Sequence, residues 1–191
     1  MADAGVGRLL VASLHQAIVE VLPDRVEFYQ YWLSPVGLRD GSIGLAPLAA
    51  VLSFLRQEGA PYDAVAVRAG RYAATWFVEG LSPLRRRLIG LTPRWLRLRL
   101  VVRLANAVFR ATYRGSRGRI STRGGSRLVA IHGSVFCDVR HPVARPLCGF
   151  YASVVSHLMT EFSIDVSVAT QQCRAAADGS SCLWTLADPL R

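Results

Sequence analysis

Four cysteines, Cys137, Cys148, Cys173 and Cys182, are the residues of this chain best suited to chemistry, and all lie in its last third. Their spacing, C-x10-C-x24-C-x8-C, lacks the paired C-x2-C knuckles of the common zinc fingers and ribbons. Local pattern adds what spacing does not. Cys173 and Cys182 flank a turn at Asp178-Gly179 that brings them near each other, and Cys148 falls in the first turn of a helix opened by Pro146. A thiolate there gains from the helix N-terminus, and Arg140, Arg145 and Arg174 favour the ionised form that a metal requires. A metal site, four buried free thiols, and an iron-sulfur cluster or redox pair all fit these residues.

The cysteines depend on the elements that carry them. After Gly115 the apolar period changes from 3.6 to 2, and residues 119–122, the turn Gly124-Gly125-Ser126 and residues 128–137 predict a β-hairpin. The helix after Pro146 puts Cys148, Tyr151, Val155, Leu158 or Met159, and Phe162 on one face. Residues 164–171 then alternate as a strand, and residues 182–186 return as its partner.

The chain before Gly115 reads as helices. Residues 7–22 carry Leu10, Leu14, Ala17 and Val21 in one stripe that Pro23 stops. Phe28, Tyr29, Tyr31 and Trp32 crowd the next segment and suit a core or a cavity wall. Ser42 suits the N-cap of a helix to about Gln57. In the helix from Tyr62 to Gly80, Val65, Ala69, Tyr72, Trp76 and Phe77 share a side, and the small residues Ala66, Ala69, Gly70, Ala73 and Ala74 let a neighbour approach closely. A basic turn, Arg85-Arg86-Arg87, leads to a long helix from Pro93 to about Tyr113. Helices first, then hairpin, helix and hairpin, predict one α+β domain over residues 1–191, with an antiparallel sheet from the C-terminal hairpins covered by N-terminal helices.

Net charge is +10, and every one of the 23 basic residues is Arg. Thirteen of them lie between Glu79 and Asp138, where there is no Asp or Glu. Such a one-sign field suits phosphate, carboxylate or anionic lipid, and a solvated helix face gives the same pattern. On the helix from Pro93, Trp95, Leu98, Val102, Ala105 and Phe109 form one row and Leu96, Leu100 and Leu104 a second, edged by Arg99, Arg103 and Arg110. That arc fits burial between two layers, or an interfacial helix. Arg interleaved with Leu and Val, without an aromatic strand platform, argues against nucleic acid. The longest apolar stretch, residues 43–55, contains Pro47 and is shorter than the roughly 20 residues a spanning helix needs. With no secretory pattern at the start, the expected location is cytoplasmic, with a membrane surface as a second setting.

The run PLCGFYASVVSHLM at 146–159, followed by a strand and then QCRAAADGSSCLW at 172–184, resembles the 4-vinyl reductase domain family. That family is similar in fold to vesicle-tethering subunits that hold an acyl chain. It includes a bacteriochlorophyll-pathway protein, archaeal hydrocarbon-binding proteins and the sensor domains of phenol-responsive activators. In the phenol sensors a Cys, a Glu and two later Cys hold a structural zinc beside an aromatic-lined pocket. The resemblance places Cys148, Cys173 and Cys182 on three of these positions and Thr170 on the Glu. Cys137, at the end of the strand leading into the same helix, then supplies the fourth ligand, with His141 and His157 as the other choices; four thiolates are a sound set for zinc.

The function this implies is binding of a hydrophobic or aromatic small molecule by a carrier or accessory subunit, with homodimer formation a further expectation from the resemblance, since the family often pairs through helices. The expected pocket lies between the helices and the sheet, walled by Phe28, Trp32, Tyr72, Trp76 and Phe109, with Arg99 and Arg103 placed for a ligand carboxylate. Two other readings stay open: a tetrapyrrole vinyl-group reductase, against which stands the lack of a G-x-G-x-x-G fingerprint, and a membrane-surface or tethering module.

Overall fold

The computed structural model describes residues 5–33, 42–123, 126–139, 141–176 and 181–187. The fold is α+β, as the pattern predicts. Among the described residues seven α-helices are followed or flanked by a four-stranded antiparallel sheet: α1 (Arg8–Val21), α2 (Val26–Trp32), α3 (Leu45–Gln57), α4 (Ala60–Glu79), α5 (Pro83–Leu91), α6 (Arg94–Thr112) and α7 (Gly149–Glu161). A two-residue ribbon pairs β1 (Val6–Gly7) with β2 (Ser42–Ile43). The main sheet runs in the order β3 (Arg117–Arg123), β4 (Ser126–His132), β6 (Ser181–Ala187), β5 (Ser167–Gln172).

Helix α4 is the centre of the helical layer and packs against both α1 and α7. Its buried face is Tyr62, Val65, Ala66, Ala69, Gly70, Ala73, Ala74 and Val78, so the small residues face the neighbours while Tyr72, Trp76 and Phe77 stay half-buried. A Cβ at Gly70 would be driven into the carbonyl oxygen of Phe150 and would stand 2.9 Å from the Cβ of Ser153. The glycine therefore sets how closely α4 and α7 approach, and the hydroxyl of Ser153 donates to the carbonyl of Val67 at 2.7 Å across the same contact.

In the sheet, Val129 pairs with Trp184 and Ile131 with Cys182, and these four are buried. Burial alternates along β6, as it must when successive side chains point to opposite faces. Helix α6 packs against β3 and α7 against β5. One continuous apolar cluster runs from Val6 to Leu186, so the helical and hairpin parts share a core.

Four local expectations change. Residues 83–91 form a helix capped by Ser82, whose hydroxyl accepts from the Arg85 amide at 3.3 Å, where a basic turn was expected. The strand expected to reach Cys137 ends at His132, because Gly133 takes a left-handed φ of 69° and the chain turns into a 3-10 segment, Val135–Cys137. Gly44, not Ser42, occupies the N-cap of α3, since Ser42 is held in the ribbon. On α2 only Tyr29 is buried, whereas Phe28 and Tyr31 are exposed. The turns at Asp40-Gly41, Gly124-Gly125 and Asp178-Gly179 lie outside the described residues.

Candidate metal centre

The four cysteines come from four separate pieces of chain that the fold brings to one point. Cys182 lies on β6, on the buried face shared with Trp184 and Leu186. Cys173 follows β5, where the pairing jumps from Thr170 opposite Trp184 to Gln172 opposite Leu183. That bulge leaves Gln171 unpaired and reverses the alternation, so an odd-numbered residue beyond it turns inward. Cys148 is the N-cap of α7, one position earlier than its expected place inside the helix. Cys137 ends the 3-10 segment that the turn at Gly133 directs under the sheet.

All four side chains are buried, and their sulfur atoms lie within 4.8 Å of one another. Cys137 Sγ is 3.5 Å from Cys173 Sγ and 3.5 Å from Cys182 Sγ. These separations are far longer than a disulfide bond of about 2 Å, and the four are free cysteines. They match a tetrahedron instead: four thiolates bound to one ion at about 2.3 Å stand about 3.8 Å apart. Thiolates on different atoms of an iron-sulfur cluster must stand farther apart, so the spacing fits one ion.

Two backbone amides point at the sulfurs. Leu147 N–H donates to Cys173 Sγ at 3.3 Å and Arg174 N–H to Cys182 Sγ at 3.4 Å. Such donors stabilise thiolate and orient it, as the outer shell of a metal site does. Hydrogen bonds from Cys137, Cys148 and Cys182 draw the Cys173 thiol well down, with the Leu147 amide adding to them. Cys148 is pushed up, first by its hydrogen bonds to the other three and then by burial. A divalent cation at this point would let all four thiols ionise, since a coordinating thiol is deprotonated.

The guanidinium groups expected to assist do something else. Arg145 pairs with Asp63 at 2.9 Å, donates to the carbonyl of Gly59 and stacks over Tyr62, while Arg174 pairs with Asp138 at 3.6 Å. They clamp the loops around the centre and leave the sulfurs to the amides; Arg140 lies outside the described residues. Of the other ligand choices, Thr170 and His141 are exposed, and His157 is held by Thr75 at 2.8 Å and Glu161 at 3.5 Å. Cys137 is the fourth member of the sulfur cluster.

The seven residues expected to wall a ligand pocket fall in separate places. Phe28 and Trp32 pack on Phe54, with ring centroids 5.1 and 6.0 Å apart. Tyr72 and Trp76 pack on each other on α4, where the Tyr72 hydroxyl meets Glu20. Phe109 is buried against Tyr151 at 5.2 Å, and Arg99 and Arg103 are exposed on α6.

Two cavities were not anticipated, and none of the seven lines either. A groove of about 930 Å³ runs between α4 and α7, bordered by Val67, Arg68, Arg71, Ser153, Ser156 and His157. A smaller cavity of about 470 Å³ adjoins the cysteines, with Leu45, Ala49 and Arg56 of α3 on one side and Val135 and Asp138 on the other. Arg56 donates to the carbonyls of Phe136 and Asp138 at 3.2 and 3.4 Å, but its Nε–H is enclosed without an acceptor. A single Arg in an apolar helix carries no periodic signal, so only the folded chain reveals it. No known family profile matches the chain, and no curated protein matches it in sequence.

Proposed function

We propose that the protein is a small-molecule binding domain whose ligand cavity is held in shape by one zinc ion on Cys137, Cys148, Cys173 and Cys182. The observation that carries this reading is a cavity of about 470 Å³ lined by Leu45, Ala49, Arg56 and Val135, beside the segment that holds Cys137. Arg56 is the cationic group in that wall, suited to a ligand oxygen. The rest of the wall is largely apolar, and the volume lies in the range of small-molecule sites. The occupant is therefore an apolar or aromatic compound with one acceptor oxygen, as a phenol or a fatty acid supplies.

Zinc enters as structure. Four cysteines would hold the ion with no position left open for a substrate, which is the arrangement of a structural site. Its role follows from chain connectivity: Val135 and Asp138 flank Cys137 within two residues, so fixing the sulfur fixes that wall of the cavity. Likeness to the 4-vinyl reductase domain family supports the same reading.

Metal analysis and thermal shift test it together. Protein purified without chelator should carry about one equivalent of zinc and no visible iron-thiolate absorption. A panel of phenols, fatty acids and porphyrins should contain a compound that raises Tm for the native chain and not for Ala49→Leu, which fills the cavity away from the cysteines. A metal-free protein refutes the zinc assignment. A panel without a binder, or one that binds Ala49→Leu equally, refutes the cavity.

A further inference from the structure

Helix α5 projects from the fold in a way neither the metal centre nor the cavity explains. Of its nine residues only Ile89, near its C-terminus, is buried, and Leu81 is buried just before its N-terminus. Leu84, Leu88 and Leu91 are exposed at 69%, 57% and 74%, and Trp95 at the start of α6 at 58%. At 100° per residue the three leucines lie within about 60° of arc, with Ile89 roughly 130° away. The helix thus has two apolar sides, one bound to the protein and one presented outward. Arg85, Arg86 and Arg87 are exposed between them, no ion pair among the described residues engages them, and Arg99 lies over the Trp95 ring at 5.5 Å.

We propose that α5 and the start of α6 are a membrane-docking surface that seats Leu84, Leu88, Leu91 and Trp95 among the acyl chains of an anionic bilayer, with Arg85, Arg86 and Arg87 at the phosphates. Charge complementarity selects this occupant. Residues 80–137 contain thirteen Arg and no acidic residue, a segment that attracts an anionic surface through its summed field. Acidic residues on the flanking elements are Glu79 at the end of α4, Glu161 at the end of α7 and Asp165 beyond it, and Arg94 donates to the Asp165 carbonyl at 3.3 Å. A second copy on the same face would set these Arg against themselves, since a two-fold interface pairs a patch with itself. Nucleic acid would satisfy the Arg but offers no apolar phase for three exposed leucines. An interfacial helix needs both components, and α5 carries both. No described helix is long and apolar enough to cross the bilayer, so the contact is peripheral.

The test is flotation of the full-length, metal-loaded protein with vesicles of phosphatidylcholine alone or with 30% phosphatidylglycerol. The native chain should float only with the acidic vesicles and be released as salt rises past about 0.3 M, where the Debye length falls below about 6 Å. Three Arg at about fivefold each predict that R85Q/R86Q/R87Q lowers the partition coefficient roughly a hundredfold. L84S/L88S/L91S should also abolish flotation, although it leaves the charge intact. These side chains are exposed, so both variants should keep the native Tm and zinc content. Equal flotation with both vesicle types, none with either, or insensitivity to the leucine variant overturns the proposal. So does a native dimer in ultracentrifugation that the leucine variant converts to monomer, because that assigns the face to a second copy.

Discussion

Cys137 Sγ and Cys182 Sγ lie 3.5 Å apart although 45 positions separate them in the chain. The contact joins the 3-10 segment to the central strand β6, and a bound ion would make it rigid. Zinc at a thousandfold above its Kd contributes about 4 kcal/mol to stability, which for a chain of this size is about 8–16 °C in Tm. Cys137→Ser should therefore lose zinc and fall by that order in Tm, and a chelator should do the same to the native protein. Calorimetry with parallel metal analysis checks both. If Cys137→Ser binds zinc as tightly as the native chain, Cys137 is not the fourth ligand.

Tyr62 reaches the centre at one remove. Its hydroxyl donates to the Leu147 carbonyl at 2.9 Å, and the Leu147 amide donates to Cys173 Sγ at 3.3 Å. The ring is buried, and Arg145 lies over it. The carbonyl belongs to the 147–148 peptide and the amide to the 146–147 peptide, so the hydroxyl steadies the residue between them; outer-shell losses of this kind cost about 10–100-fold in metal affinity. Tyr62→Phe should weaken zinc binding by about tenfold or more in competition with a chromophoric chelator. A drop in Tm with unchanged affinity would mean that the hydroxyl serves only the core.

The architecture was legible because it rests on period: the 3.6 repeat of α1 and α4 and the alternation of β5 and β6 survive folding. The four cysteines were legible as a group for the same reason. Two features that complete the centre were not. The bulge at Gln171 that turns Cys173 inward depends on pairing with β6, and the 3-10 segment holding Cys137 depends on the backbone sign at Gly133. Ala66, Ala69, Gly70, Ala73 and Ala74 permit the close approach of α7 to α4, and the described ring contacts place Tyr72 with Trp76, Phe28 and Trp32 with Phe54, and Phe109 with Tyr151.

Two glycine substitutions should move stability in opposite directions. Gly70→Ala forces its methyl into the backbone of α7 at Phe150, where no side chain can swing aside. Overpacking of this kind costs about 1–3 kcal/mol, or about 2–12 °C here. Gly90 lies within α5 with nothing within 4 Å of an added Cβ. Gly90→Ala should gain up to about 1 kcal/mol from helix propensity alone. Equal and small effects from both would show that α4 and α7 are not in tight contact.

His157 makes stability depend on pH. It stands on α7 with 18% of its side chain exposed, between Thr75 and Glu161, and Arg71 faces it from α4. Burial lowers its pKa, Glu161 opposes that and Arg71 reinforces it. The unfolded chain holds the same imidazole near 6.5, so on acidification through that value the unfolded state takes up more protons than the folded one. The contribution is complete above about pH 7 and is lost as pH falls below it. Protonation of the thiolates would also destabilise the metal-loaded protein in acid, so the informative quantity is a difference. The Tm of the native chain minus that of His157→Gln should shrink steadily between pH 7.5 and 5.5 at constant zinc content. A difference that stays flat over that interval would show that His157 is neutral in neither state preferentially, and that the acid sensitivity belongs to the cysteines alone.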